Sequence, residues 1–66
     1  MKLKEFFGKD IDVNCYIQLW YGTHDDQGEL LAEAYGNENA DFEPWYNMDV
    51  VYITIGDGKL IIEVAW

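Results

Sequence analysis

The residue types best suited to chemistry cluster in one short stretch of this 66-residue chain, which contains His24, Asp25, Asp26 and Glu29. One imidazole and three carboxylates could bind a metal ion if they converged at about 2–2.5 Å, which a solvated turn rarely achieves. The spacing also differs from that of an EF-hand loop, which has acids at alternate positions and a glutamate at the twelfth. We therefore interpret the stretch as an acidic turn and expect no metal and no other cofactor.

The single cysteine, Cys15, is a second candidate, as a nucleophile with His24 as its base. Cys15 lies on the aliphatic side of an alternating run, where thiols are usually inert core residues. Acid–base work by Asp10 and Asp12 would need a pocket that separates their pKa values, and so short a chain has little room for one. We therefore predict that the protein is not an enzyme.

The cysteine count and the distribution of apolar residues indicate the cellular compartment. One cysteine cannot form an internal disulfide, and small secreted domains usually need several. The first residues are basic, but the apolar run of a signal peptide does not follow them. No stretch approaches the roughly 20 apolar residues of a membrane span. These features favour a cytoplasmic protein and no membrane partner.

Charge is strongly segregated along the chain. Thirteen Asp and Glu against four Lys and Arg give a net charge of −9. The four bases are lysines that all lie outside residues 10–58, whereas eleven of the thirteen acids lie inside that range. A surface of this sign repels phosphates, so we expect no direct nucleic-acid binding.

The acids can be interpreted in two ways, as a solubilising coat or as an imitation of a nucleic-acid backbone. Residues on one face of a strand lie about 6.6–6.8 Å apart, close to two steps of about 3.4 Å along one DNA strand. The second interpretation predicts a non-enzymatic inhibitor that occupies the basic groove of a nucleic-acid-binding enzyme. Its candidate binding residues are Asp25, Asp26, Glu29, Glu33, Glu38, Asp41 and Glu43.

The aromatic residues support an alternative of a different class. Tryptophan and tyrosine are enriched among the residues that dominate protein interfaces. A structural or regulatory interaction module, with acids only for solubility, would bind a protein partner or form a homodimer. Its candidate binding residues are Trp20, Trp45 and Tyr46.

Periodicity indicates the elements that position these residues. The spacing predicts a helix over residues 2–8, docked by one apolar face that contains Leu3, Phe6 and Phe7. Strict alternation predicts a strand over residues 12–21. Residues 29–35 favour a second strand that pairs with the first, although their composition suits a helix as well.

The second half of the chain contains an irregular connector over residues 36–48 and then the clearest hairpin. Its strands are residues 49–55 and 59–66, joined by a three-residue loop with a bulge glycine. The sum is one α+β domain over residues 1–66, with a short N-terminal helix packed on a four-stranded antiparallel sheet in meander order. The expected core residues are Leu3, Phe6, Phe7, Val13, Ile17, Leu19, Val51, Ile53, Ile62 and Val64.

Three pieces of the chain carry a resemblance to a known group: residues 3–7, residues 29–31 after an acidic turn, and residues 57–64. In these pieces the layout resembles short uncharacterised proteins encoded by phages and conjugative elements. In size and charge the chain is also similar to acidic DNA-mimic inhibitors of the anti-CRISPR and anti-restriction type. The resemblance implies a bacterial or phage-infected host cytosol, and it assigns no binding residues.

Overall fold

A computed structural model describes residues 1–8 and 15–66, with the backbone alone for residues 36–40. Its elements are α1 (Leu3–Gly8), β1 (Tyr16–Tyr21), β2 (Glu29–Tyr35), a 3-10 helix (Gly36–Trp45), β3 (Asp49–Gly56) and β4 (Lys59–Ala65). The predicted α+β class, the helix and the four strands are confirmed. β1 begins at Tyr16 and not at residue 12: Cys15 forms a bend, and residues 12–14 of the predicted strand lie outside the described residues.

The predicted antiparallel meander is wrong, because the sheet is mixed and has the strand order β2-β1-β4-β3. β1 pairs with β2 antiparallel and with β4 parallel, and β3 pairs with β4 antiparallel. No residue of β4 is exposed, whereas half of β3 is. β4 has apolar residues at five of its seven positions, and such a strand is best buried at the centre of a sheet, so β4 and not β3 lies beside β1.

The 3-10 helix makes this order feasible. A parallel pair needs a long connection across the sheet, and the 3-10 helix packs against β1, β2 and α1 as the chain crosses. Its Phe42 is fully buried and stacks on Phe7 of α1, with ring centroids 5.3 Å apart. The backbone N–H of Leu3 donates to the Met48 carbonyl at 2.9 Å, which docks the start of α1.

The core lies between one face of the sheet and the two helices. The predicted members Leu3, Ile17, Leu19, Ile62 and Val64 are fully buried, and Phe6 and Phe7 are partly buried against them. The structure adds Ala34, Phe42 and Met48 to the core. Val13 lies outside the described residues.

Two predicted core residues, Val51 and Ile53, are instead 59% and 39% exposed. The strand register shifts between Val50 and Tyr52, so that Val51 is the extra residue of a β-bulge. The bulge breaks the two-residue alternation, and Val50 packs against the core in place of Val51. Ile53 pairs with Ile62 on the core face, but β3 is an edge strand and the 3-10 helix packs over β1 and β2, towards the opposite edge of the sheet.

The β3–β4 hairpin also differs from the prediction in its loop. Gly56 pairs with Lys59, which leaves a two-residue loop and not the predicted three-residue loop. Asp57 and Gly58 have φ values of 54° and 75°. Two successive positive φ values define the tight turn whose twist matches that of the flanking strands.

Candidate functional site

The turn between β1 and β2, residues 22–28, is held by its own side chains. Asp25 Oδ1 accepts hydrogen bonds from the Thr23 hydroxyl at 2.7 Å and from the Gln27 backbone N–H at 2.8 Å. The Thr23 bond, followed by the Gln27 bond, lowers the pKa of Asp25 from its ordinary value of 3.8. A Cβ atom at Gly28 would overlap the Thr23 carbonyl oxygen, so the turn requires glycine there. Asp25 therefore has a structural role in the turn.

His24 attaches this turn to the sheet. Its backbone N–H donates to Glu63 Oε2 at 3.1 Å, and its ring Nδ1 lies 2.5 Å from the same oxygen. Glu63 is only 8% exposed, and the His24 ring stacks on Tyr52 of β3 with centroids 6.2 Å apart. The only histidine of the chain thus partners a buried carboxylate from β4, which sequence reasoning did not connect with it.

The sheet face opposite the helices, which we call the open face, carries a short polar chain. Trp20 Nε1 donates to Gln18 Oε1 at 3.2 Å, and Gln18 Nε2 donates to Glu33 Oε2 at 3.0 Å. Tyr16 packs edge-on against Tyr35, with centroids 5.3 Å apart. Burial and the neighbouring Glu33 carboxylate raise the pKa of the Tyr16 phenol. Trp20 is fixed on this face by its hydrogen bond.

The predicted acidic residues gather around β2. We use the name acidic edge for the exposed carboxylates of the turn, of β2 and of the 3-10 helix that packs on β2, namely Asp25, Asp26, Glu29, Glu33, Asp41 and Glu43. Glu38 belongs to the same 3-10 helix, but its side chain lies outside the described part. The exposed acids therefore belong to β2 and to the two segments that flank it in the chain.

A second β-bulge divides the acids of β2 between the two faces of the sheet. Leu19 pairs with Ala32 and Trp20 pairs with Leu30, so Leu31 is the extra residue. Leu31 and Ala32 both pack against the core. Glu29 consequently faces the helix side while Glu33 faces the open side, and the two do not form the regular same-face row that the strand pattern predicts.

The structure does not bring the three predicted aromatic residues together. Trp20 lies on the open face, whereas Trp45 and Tyr46 pack against the core from the end of the 3-10 helix. Burial, and then the nearby Glu43 carboxylate, raise the pKa of Tyr46. The aromatic alternative therefore has no single surface that contains all three residues.

Trp45 instead lines an open cleft with a volume of about 250 Å³ on the helix side of the sheet. The other lining residues are Tyr21, Glu29, Leu31, Met48 and Trp66. Tyr21 is the last residue of β1 and Trp66 directly follows β4, and sequence reasoning missed both because neither belongs to a local motif with Trp45. We call this site the aromatic cleft.

The described residues contain no group of three or more His, Cys, Asp and Glu placed to bind a metal ion. Cys15 is partly buried against the core. No helix in the described part is long and apolar enough to cross a membrane. Comparisons with protein-family models, curated proteins and solved structures found no match.

Proposed function

We propose that this protein is a non-enzymatic inhibitor whose acidic edge occupies the basic groove of a nucleic-acid-binding enzyme, in the manner of anti-CRISPR and anti-restriction proteins. The observation that carries the proposal is the concentration of exposed carboxylates on β2, on the turn before it and on the 3-10 helix that packs on it. Residues 10–58 hold no Lys or Arg, so the acidic edge has no lysine or arginine near it in sequence to neutralise it. A cytoplasmic location belongs to the same proposal.

The carboxylates of the acidic edge are available to a partner. Asp26, Glu29, Asp41 and Glu43 are exposed, and the described part of the chain shows no ion pair between them and a lysine. The lysine in the one Lys–Asp ion pair of the described residues is Lys2, which lies 3.3 Å from Asp49 at the start of β3. Exposed and unneutralised charge accelerates association with a surface of opposite sign and rejects partners of like sign.

The unpaired edge of β2 offers a second means of binding a partner. Among the described residues β2 pairs with β1 on one side only, so its other side presents backbone N–H and C=O groups. A row of unpaired backbone groups can extend a partner's sheet or bind its loops. Carboxylates beside such an edge direct it towards basic partners and oppose its pairing with a second copy of this acidic chain.

The first experiment is capture of bacterial proteins by the full chain at about 50 mM and about 500 mM salt. The shorter screening length at the higher concentration weakens exposed charge pairs. We expect a nucleic-acid-binding enzyme to be retained only at low salt. The purified enzyme should then release a labelled duplex DNA when this protein is added, because both ligands compete for one groove.

A matched pair of variants tests the location of the contact. Asp41→Asn/Glu43→Gln removes two charges from the acidic edge, and Glu5→Gln/Asp57→Asn removes two charges elsewhere. Asp25 is left intact because it holds its own turn. We expect the first pair to weaken DNA displacement several-fold and the second to leave it almost unchanged.

A salt-resistant result would instead support the alternative function, an interaction module that binds through its aromatic residues. Capture that survives both high salt and the loss of Asp41 and Glu43, but fails in Trp20→Ala or Trp45→Ala, would mean that the acids are only solubilising. Because these tryptophans lie on different faces, comparing the two single variants also identifies which face binds.

A further inference from the structure

We propose that the aromatic cleft binds an organic cation of the alkylammonium class. Its lining residues include three aromatic residues, Tyr21, Trp45 and Trp66, and the acidic residue Glu29. Cations are attracted to the faces of aromatic rings, most strongly to tryptophan, and cages of aromatic residues are a recurrent solution for quaternary ammonium groups. A carboxylate at the same site adds direct charge complementarity.

The size of the cleft suits a small group. Its volume of about 250 Å³ is below the roughly 300–1,000 Å³ of pockets that enclose drug-sized molecules. A trimethylammonium head group fits this space, and the remainder of a larger ligand can extend out of the open cleft.

The β2 bulge is what places the carboxylate in the cleft. In a regular strand Glu29 and Glu33 would share one face, because they are four residues apart. The extra residue Leu31 reverses this relation, so that Glu29 faces the cleft opposite Tyr21, its pairing partner on β1. β-Bulges are often found beside functional sites, where they redirect one side chain.

The chemistry of the walls excludes the other ligand classes. An anion would meet the Glu29 carboxylate in a chain of net charge −9. A neutral apolar ligand would cover that carboxylate without offering it a partner, which is unfavourable. A strongly hydrated inorganic cation gains little from Leu31, Trp45 and the fully buried Met48. An alkylated ammonium group satisfies both the charge and the apolar surface.

This inference goes beyond the proposed function and stands independently of it. The cleft can bind an ammonium group whether or not the acidic edge binds an enzyme. The ammonium group can come from a free small molecule or from an alkylated lysine of a protein. Both sources present the same chemistry to the cleft, and the experiment below distinguishes them.

The test is a titration of the isotope-labelled full chain with choline, followed by NMR at constant chloride concentration. The indole N–H signals of Trp45 and Trp66 should shift and saturate, while that of Trp20 on the open face should not. Sodium and 3,3-dimethyl-1-butanol, the neutral analogue of choline, are the comparators. A trimethyl-lysine peptide is the second probe, and its affinity relative to choline identifies the source.

Two substitutions on one strand supply the matched control. Glu29→Gln and Glu33→Gln each remove one charge from β2, but only Glu29 lines the cleft. We expect Glu29→Gln to weaken choline binding about three- to fivefold and Glu33→Gln to leave it unchanged. Trp66→Ala, at a residue 77% exposed and therefore tolerant of change, should weaken binding about three- to tenfold.

Three results would overturn the proposal. The first is binding of the neutral analogue as tight as that of choline, which would mean that the cleft is merely apolar. The second is the same set of shifts with sodium, which would mean that the effect is only screening. The third is the absence of a shift of both cleft indoles with choline at concentrations where the fold is intact. Each of these results leaves the competition experiment on the acidic edge unaffected, so the two proposals fail separately.

Discussion

The two edges of the sheet contain one β-bulge each, and the bulges have opposite consequences. On β2 the extra residue, Leu31, turns inward to the core and moves Glu29 to the helix side. On β3 the extra residue, Val51, turns outward, and Val50 takes its place against the core. Half of the exposed residues of β2 are carboxylates, Glu29 and Glu33, whereas the exposed residues of β3 include none.

This difference follows from what covers each edge. The 3-10 helix packs on β2 and supplies both buried and acidic residues there. β3 lies away from that helix and exposes Val51, Ile53 and Ile55. In the part of the chain that the structure describes, only the first residues of β3 are paired on its outer side, where the Val50 N–H donates to the Met1 carbonyl at 2.8 Å. The comparison shows that the 3-10 helix covers the β2 edge of the sheet and leaves the β3 edge uncovered.

The largest expected loss of stability comes from removing the Phe42 side chain, which the 3-10 helix contributes to the core. Phe42→Ala should cost about 3–5 kcal/mol, since Phe42 is fully buried. The total stability of a domain of this size is roughly 3–10 kcal/mol at about 0.05–0.15 kcal/mol per residue. Circular dichroism during urea unfolding measures the loss.

Phe6→Ala is the control for that prediction. Phe6 is only partly buried, so its removal should cost clearly less than removal of Phe42 and should leave a cooperative unfolding transition. Equal losses in the two variants would show that the 3-10 helix is no more important to the core than α1 is.

The second prediction concerns the turns that join β1 to β2 and β3 to β4. Gly28→Ala should destabilise by at least about 3 kcal/mol, because the added Cβ meets backbone atoms of Thr23 that have little freedom to move. Gly58→Ala has open space around it, and only its positive φ opposes the change, at about 1–2 kcal/mol. Thermal unfolding of both variants gives the ranking, and a reversed ranking would contradict the described geometry of the β1–β2 turn.

The third prediction tests the β3 bulge with two adjacent valines. Val50→Ala removes apolar surface that packs on the core and should cost about 1 kcal/mol. Val51→Ala changes a residue in water and should stay within about 0.5 kcal/mol. Both substitutions carry the same change in strand propensity, so the difference between their urea midpoints isolates burial. A larger loss of stability in Val51→Ala than in Val50→Ala would contradict the bulge and support the regular alternation predicted for β3.

The smallest expected effect is a pH dependence from Asp25. Its folded pKa is lowered below its ordinary 3.8, so its stabilising contribution is complete above that pH. The contribution is lost as the pH falls through the folded pKa. Asp25→Asn should therefore be less stable than the parent chain at pH 7, and the gap should narrow towards pH 3.

Asp26→Asn is the matched control for Asp25, since it removes one charge from the same turn. Its difference from the parent chain should change less between the two pH values. Urea midpoints of the three proteins at pH 7 and pH 3 are sufficient for the comparison. A constant gap for Asp25→Asn would mean that the Thr23 and Gln27 hydrogen bonds do not favour the ionised form.

Local patterns in the sequence were sufficient for much of this fold. The spacing of Leu3, Phe6 and Phe7 predicted α1, and alternation predicted Ile17 and Leu19 as core residues of β1. These signals depend on a few neighbouring residues, whose side chains point in directions set by the local backbone. The acidic composition of residues 10–58 likewise needed no structure to be recognised.

Tertiary structure alone decided the strand order, the two bulges and the membership of the aromatic cleft. Strand order depends on which strand is stabilised most by burial at the centre of the sheet. That strand is β4, which has no exposed residue, whereas half of β3 is exposed. A bulge adds one residue without a local sequence signal, so the side to which Glu29 or Val51 turns is fixed only by the register with β1 or β4. Tyr21, Trp45 and Trp66 come from three separate elements, and only the packing of those elements makes them neighbours.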